Sequence, residues 1–115
     1  MTRDVSPMGS VGNASLCAGA NMTKAVIQFD DNANWYTGSG GPLASQYDLR
    51  SVAAHEFGHA TGFMPSINMG HFSATDAACT VADPNKDTMC AGASPGTVWK
   101  RDLASHDIHT VEAAY

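Results

Sequence analysis

Apolar positions follow a regular period in only three places along the chain. In KAVIQFDDNANWYTG, a short apolar run at residues 25–29 is followed by turn formers, and this pattern predicts a strand. In DLRSVAAHEFGHATG, apolar residues recur at helical spacing and predict a helix, with Phe57 expected to anchor it in the core. Asp48 is placed to cap the start of this helix, and Gly62 to end it in a left-handed conformation.

The third regular stretch, LASHDIHTVEAAY, predicts a second helix at the end of the sequence. Residues 63–101 are rich in Pro, Gly, Asp and Asn, which predicts an irregular segment. Residues 1–23 have no clear period, so we expect them to form a poorly ordered start. The length of 115 residues indicates a single domain, residues 1–115, with the strand and first helix in 24–62 and a C-terminal subdomain in 63–115.

Composition adds that the hydrophobic core is small. Leu, Ile, Val and Phe make up 18 of the 115 residues, so we expect the domain to need a metal ion or a disulfide for stability. The net charge of −5, without a Lys/Arg cluster, argues against a nucleic-acid partner. No apolar run is long enough to cross a membrane, and we expect a monomer.

Cysteine spacing predicts one disulfide. Cys79 and Cys90 flank TVADPNKDTM, a loop of turn-forming residues that a disulfide could close, although two unrelated buried thiols are the alternative. This pairing leaves Cys17 without a partner. An odd cysteine in a protein that uses disulfides suggests that the chain is an incomplete piece.

The first predicted helix contains a metal-binding pattern. His55 and His59 are four residues apart, so a helix places both imidazoles on one face, where they can bind the same ion. Glu56 directly follows the first histidine and can reach a water in an open coordination position. A zinc ion lowers the pKa of such a water to about 7, and a carboxylate can then accept its proton. We therefore expect zinc as the cofactor and Glu56 as the catalytic base.

A catalytic zinc site needs a third protein ligand. His71 is our choice because it is the nearest histidine beyond Gly62, and imidazole suits zinc at neutral pH. Asp76 is the second candidate. The remaining histidines, His106 and His109, lie on the last predicted helix, where structural roles are expected.

These motifs resemble those of a known family. HEFGHATG is similar to the metzincin zinc-peptidase motif, DTMC resembles its Met-turn, and LASHDIHTVEAAY is similar to the last helix of the matrixin branch and its bacterial secreted relatives. The resemblance implies an α+β fold with a small, partial sheet, an active-site helix, an irregular C-terminal subdomain and a final helix. It implies that Met89 lies beneath the zinc ligands and that Asp107 is the buried aspartate of the last helix.

Two features depart from the family pattern. Eight residues separate Gly62 from His71 where the family has two, so His71 can reach the ion only across a loop insertion, and Pro65 fills the usual ligand position. Residues 1–23 do not supply the family's earlier strands and helix, so we expect a truncated catalytic domain or an unusually minimal one. The resemblance also implies a secreted protein, although the sequence contains no secretion signal or pro-segment.

The resemblance implies a zinc-dependent endopeptidase that binds a peptide or protein substrate as an added strand beside residues 25–29. The alternative is a catalytically incompetent, truncated zinc-binding module of the same fold. Trp35 and Tyr36 are expected to pack the end of the strand. The turn carboxylates Asp30, Asp31 and Asp87 are expected to be solvated rather than to bind calcium.

Overall fold

Two antiparallel strands, β1 (Gly12–Ala18) and β2 (Met22–Phe29), come first in the computed structural model, which describes residues 11–18, 22–60, 71–72, 75–81 and 86–114. Their register pairs Gly12 with Phe29 and shifts at an irregularity between Cys17 and Ala18. The expectation of a poorly ordered start is therefore wrong for residues 12–18. The predicted strand at 25–29 is present, and it begins three residues earlier.

The chain turns sharply after β2. The backbone N–H of Asn32 donates to the Asp30 carboxylate at 2.9 Å, as in an Asx-turn, and Asp30 is 7% exposed. Its backbone carbonyl accepts a hydrogen bond from Trp35 Nε1 at 2.7 Å, and the Trp35 ring packs edge-on against Phe29 and Tyr47. The expected packing role of Trp35 is confirmed, whereas the expectation that Asp30 is solvated is wrong.

Two short strands then lead into the first helix. Strand β3 (Trp35–Tyr36) pairs in parallel with β4 (Tyr47–Asp48), and α1 (Leu49–Ala60) follows directly. Asp48 caps α1, because its Oδ2 accepts hydrogen bonds from the backbone N–H of Ser51 at 2.9 Å and from the Ser51 hydroxyl at 2.8 Å. The helix predicted from sequence and its N-cap are thus present. The Gly62 prediction lies outside the described residues.

The buried face of α1 is mostly polar. Its buried residues are Ser51, Val52, His55, Glu56 and His59. Phe57 is 59% exposed, so the expectation that it anchors the helix in the core is wrong. The physical reason is that a helix can bury only one face, and here that face holds the two histidines and the glutamate.

Three short elements lie in the described residues of the C-terminal part. These are α2 (Ala77–Thr80), a 3₁₀ helix (Trp99–Arg101) and α3 (Ser105–Ala114). A disulfide joins Cys79 of α2 to Cys90, as the loop between them predicted. The segment expected to be irregular therefore contains a turn of helix at 77–80 and a 3₁₀ helix, while residues 61–70, with Pro65, lie outside the described ranges.

Within the described part of the chain, buried side chains are more often polar than apolar. The apolar ones are Val52, Ala78, Met89 and Cys90, and the polar ones are Asp30, Asp48, Ser51, His55, Glu56, His59, Asp87, Thr88, Lys100 and Asp107. None of the described helices is long and apolar enough to span a membrane. The α+β fold thus surrounds a polar interior in which α1 contacts both β1 and the 3₁₀ helix.

Candidate metal centre

Three imidazoles converge at the buried face of α1. His55 and His59 lie one turn apart on the helix, and His71 joins them from the segment that precedes α2. The Nε2 atoms of His55 and His71 are 3.0 Å apart, and the ligand atoms of all three histidines lie within 4.8 Å of one another. Among the described residues this is the one group of three or more potential ligands that could hold a metal ion.

The geometry and charge of the group fit zinc. Zn–N bonds of about 2.0–2.1 Å in a tetrahedral site place neighbouring nitrogens about 3.3 Å apart, close to the spacing of the His55 and His71 nitrogens. Burial, followed by the charge of Lys100, lowers the pKa of His55 to about 3. Burial, followed by the proximity of His71, lowers the pKa of His59 to about 4. Both rings are therefore neutral near pH 7, as metal ligation requires.

The orientation of the His55 ring is fixed at Nδ1, the ring nitrogen that does not face His71. Its Nδ1 lies 2.7 Å from the backbone carbonyl oxygen of Thr88, so the tautomer with a proton on Nδ1 donates a hydrogen bond there. This leaves the lone pair on Nε2, the atom that faces His71. A backbone carbonyl behind a metal-binding histidine is a common way to fix the ring and its tautomer.

His71 is placed by a backbone contact of the next residue. The N–H of Phe72 donates to the carbonyl of Met89 at 3.1 Å, and Phe72 forms an isolated parallel bridge with Cys90. His71 is therefore tied to the turn at residues 87–90. The disulfide holds the same turn to α2.

The other candidate ligands lie elsewhere. Asp76 is exposed at the N-cap of α2, and His106 pairs with the buried Asp87 at 2.9 Å. His109 is exposed on α3. The structure thus brings His71, and none of these three, together with His55 and His59.

Glu56 is a buried carboxyl group on the same helix. Its side chain is 6% exposed, and burial raises its pKa to about 7, although the positive charge of Lys100 acts in the opposite direction. Strand β1 passes close to it, since a Cβ atom at Gly12 would lie 3.1 Å from Glu56 Oε1. The first residue of β1 therefore borders the carboxyl group.

Met89 packs beneath the histidine helix. It is 1% exposed, and its sulfur fills the space beside Gly58, between Glu56 and His59 in sequence. A glycine inside a helix costs roughly 1 kcal/mol relative to alanine, so it often marks a close contact. That signal could have singled out Gly58 in the sequence.

Asp107 supports the turn that contains Met89. Its carboxylate is fully buried and accepts hydrogen bonds from the backbone N–H groups of Thr88, Met89 and Ala104, at 2.7, 3.1 and 2.9 Å. The bond to Ala104 also caps the start of α3, as in a capping box. The expected burial of Asp107 is confirmed.

A second carboxylate, that of Asp87, links the turn to α3. It is fully buried, accepts a hydrogen bond from the Asp107 N–H at 2.8 Å and pairs with His106. The expectation that Asp87 is solvated is therefore wrong. Both of its carboxylate oxygens have protein partners.

Two basic residues of the 3₁₀ helix were not predicted to have a role. The Lys100 ammonium is buried next to His55, and burial lowers its pKa to about 8. Arg101 forms an ion pair with Asp48, the N-cap of α1, and donates hydrogen bonds to the carbonyls of Ser39 and Gly38. His55 lies 45 positions from Lys100, and Asp48 lies 53 positions from Arg101, so no local pattern in the sequence indicates these two contacts.

The α+β fold and a group of three histidines, two of them on the HEFGH helix, match the metzincin class of zinc metalloproteases. The sequence model of the matrixin family matches residues 6–78, which is more than half of the chain, and the protein belongs to that family. Searches of curated proteins and of solved structures found no significant match. The family match includes all three histidines and ends before the turn that contains Met89.

Proposed function

We propose that this matrixin is a zinc-dependent endopeptidase in which His55, His59 and His71 hold the zinc ion and Glu56 is the general base. One observation carries the proposal: three imidazoles converge, and the helix that holds two of them also carries a buried carboxyl group. Three protein ligands leave a fourth position for water, which is the pattern of catalytic rather than structural zinc sites.

Hydrolysis requires the transfer of one proton. When bound by these histidines, a zinc ion would act as a Lewis acid and lower the pKa of the attacking water. Glu56 accepts the proton of that water as the new C–O bond forms and returns it to the amide nitrogen as the C–N bond breaks. Burial raises the pKa of Glu56, which favours a carboxyl group that can hold the proton between the two transfers.

The substrate strand is proposed to lie along β1. In the described part of the chain, β1 and β2 form a two-stranded sheet, so each has one edge beside which no described strand lies. The sequence placed the substrate beside residues 25–29, in β2. The closeness of Gly12 to Glu56 favours β1, because a peptide added there lies beside the strand nearer the carboxyl group.

The turn at residues 87–90 is proposed to be the Met-turn, and its support is the packing of Met89 against Gly58. Secretion is proposed from family membership and from the Cys79–Cys90 disulfide, because disulfides persist in oxidising compartments.

Peptide cleavage by the wild type and by Glu56→Ala tests the proposal. We expect the wild type to cleave casein or a quenched peptide, to lose this activity to a chelator and to regain it with added zinc. Glu56→Ala should retain one zinc ion and lose at least about 100-fold in kcat, the usual contribution of a general base. Glu112→Ala removes an exposed glutamate from α3 and is the matched control.

Two results would contradict the proposal. Full activity of Glu56→Ala would remove this residue from the mechanism. A wild-type protein that binds zinc but cleaves none of a broad set of peptides would support the alternative, a zinc-binding module without catalytic activity.

A further inference from the structure

A buried lysine lies behind the proposed zinc site. Lys100 is 5% exposed, and its ammonium group lies 3.3 Å from Nδ1 of His55. Burying a charge is unfavourable unless it is compensated by partners. Lys100 must therefore have partners that stabilise its charge. None of the proposed chemical steps uses this residue.

The ammonium group joins two carbonyls, one at the end of the turn at residues 87–90 and one just beyond it. It donates hydrogen bonds to the backbone oxygens of Cys90 and Gly92, and its charge lies 5.0 Å from the centre of the Trp99 ring. Cys90 directly follows Met89, and Gly92 lies three residues after it. Lys100 thus connects the 3₁₀ helix to the turn that supports the histidine group.

The backbone of the same helix holds Thr88. The Thr88 hydroxyl lies 3.3 Å from the carbonyl oxygen of Lys100 and 2.9 Å from that of Asp102, and it donates to them. The carbonyl of Thr88 in turn accepts the Nδ1 proton of His55. The side chain and the backbone of Lys100 therefore both act on the short segment that orients this imidazole.

We propose that Lys100 is a positioning residue for His55: by joining the carbonyls of Cys90 and Gly92, it fixes the Thr88 carbonyl and so the direction of His55 Nε2. The inference rests on the proposed function, since it assigns Lys100 to the same metal centre. Lys100 does not bind the ion. It acts through the turn, as an outer-sphere residue.

Metal binding by Lys100 variants, measured without any substrate, tests the inference. Lys100→Met keeps most of the side-chain volume and removes the hydrogen bonds and the charge, whereas Lys100→Arg keeps donors for both carbonyls. We expect Lys100→Met to weaken zinc binding about 10–100-fold, the usual effect of losing an outer-sphere partner. Lys100→Arg should recover part of this loss.

Replacement of zinc by cobalt gives a visible absorption spectrum that does not change when the protein only becomes less stable. The visible absorption of bound Co²⁺ reports the geometry of its ligands, so Lys100→Met should shift the bands and Lys100→Arg should bring them back toward the wild-type positions. Lys86→Met is the matched control, because Lys86 also lies over the Trp99 ring, at 5.7 Å from its centre. It should leave the spectrum and the zinc affinity unchanged.

If Lys100→Met does not fold, Lys100→Gln replaces it in the same measurements. An unchanged cobalt spectrum and zinc affinity, with only a lower melting temperature, would overturn the inference and leave the proposed endopeptidase intact. A wild type that binds zinc without cleaving peptides would refute the proposed activity, while a shifted spectrum in Lys100→Met would still support the positioning role.

Discussion

The sulfur of Met89 lies where a side chain at Gly58 would have to be. A Cβ atom at position 58 would overlap Met89 Sδ, and Met89 is 1% exposed, so it has little space to retreat. Gly58→Ala should therefore displace Met89 or α1. Overpacking of this kind costs about 1–3 kcal/mol, against a gain of about 1 kcal/mol in helix propensity. We expect weaker zinc binding and lower activity, measured by chelator competition and peptide cleavage.

Gly41→Ala is the control for that substitution. A Cβ atom at position 41 would meet no atom within 4 Å, so both zinc affinity and activity should be retained. Normal zinc binding by Gly58→Ala would show that the contact between Met89 and α1 does not shape the site.

His71→Ala should weaken zinc binding. The change removes one of three converging imidazoles, so the loss should be at least the roughly 10–100-fold that is typical of outer-sphere partners. Asp76→Ala is the control, since Asp76 is exposed at the start of α2. Zinc affinity that fell in Asp76→Ala but not in His71→Ala would assign the third ligand to the aspartate.

Asp48→Asn should make stability less dependent on pH in acid. Burial alone would raise the pKa of Asp48, but hydrogen bonds from Arg101 and Ser51, with the Arg101 charge, outweigh it and hold the pKa below 3.8. A carboxyl group whose pKa is lowered by folding stabilises the fold at any pH above its pKa in the unfolded state. This contribution is lost as the pH falls through its pKa in the folded state. The wild type should therefore lose stability below about pH 4 more steeply than Asp48→Asn.

Urea unfolding from pH 7 down to pH 2 measures this difference. Asparagine is also a good N-cap, so the variant changes the charge more than the cap. Asp31→Asn removes an exposed carboxylate and should follow the wild type. Parallel curves for the wild type and Asp48→Asn would contradict a stabilising role of the ion pair.

Removal of the disulfide should affect both stability and the metal centre. Cys79 and Cys90 are separated by 11 positions, and closing a loop of this size contributes on the order of 3 kcal/mol. The backbone of Cys90 also forms a β-bridge with Phe72, the residue after His71. Because loss of the disulfide frees Cys90 from α2, the double variant Cys79→Ser/Cys90→Ser should hold His71 less firmly and bind zinc less tightly. Thermal unfolding and chelator competition measure the two effects. Cys17→Ser should change neither, and unchanged zinc affinity in the double variant would separate the disulfide from the site.

The sequence was informative where a local pattern determines the structure. The position of α1, its N-cap at Asp48 and the pair His55 and His59 all follow from spacing within one helix. Which face of α1 is buried did not follow from the sequence, because Phe57 fits a helical apolar stripe and yet is exposed. The metal centre requires the polar face to point inward, and helical periodicity does not reveal which face tertiary contacts select.

Contacts between distant segments were the hardest to predict. Strand β1 contains mostly small and polar residues, and it forms a strand through pairing with β2 rather than through β-propensity. His71 could be named as a candidate, but only the bridge between Phe72 and Cys90 shows what holds it near the helix. The contact of Lys100 with His55 and the ion pair of Arg101 with Asp48 join residues far apart in sequence and have no local signature.

The polar interior has a thermodynamic consequence. Exposure of apolar surface raises the heat capacity of unfolding and exposure of polar surface lowers it. Because ten of the fourteen buried residues in the described ranges are polar, the heat-capacity change should be small for a chain of this length. A small heat-capacity change flattens the curve of stability against temperature, so cooling should destabilise this domain less than a domain of equal length with an apolar core.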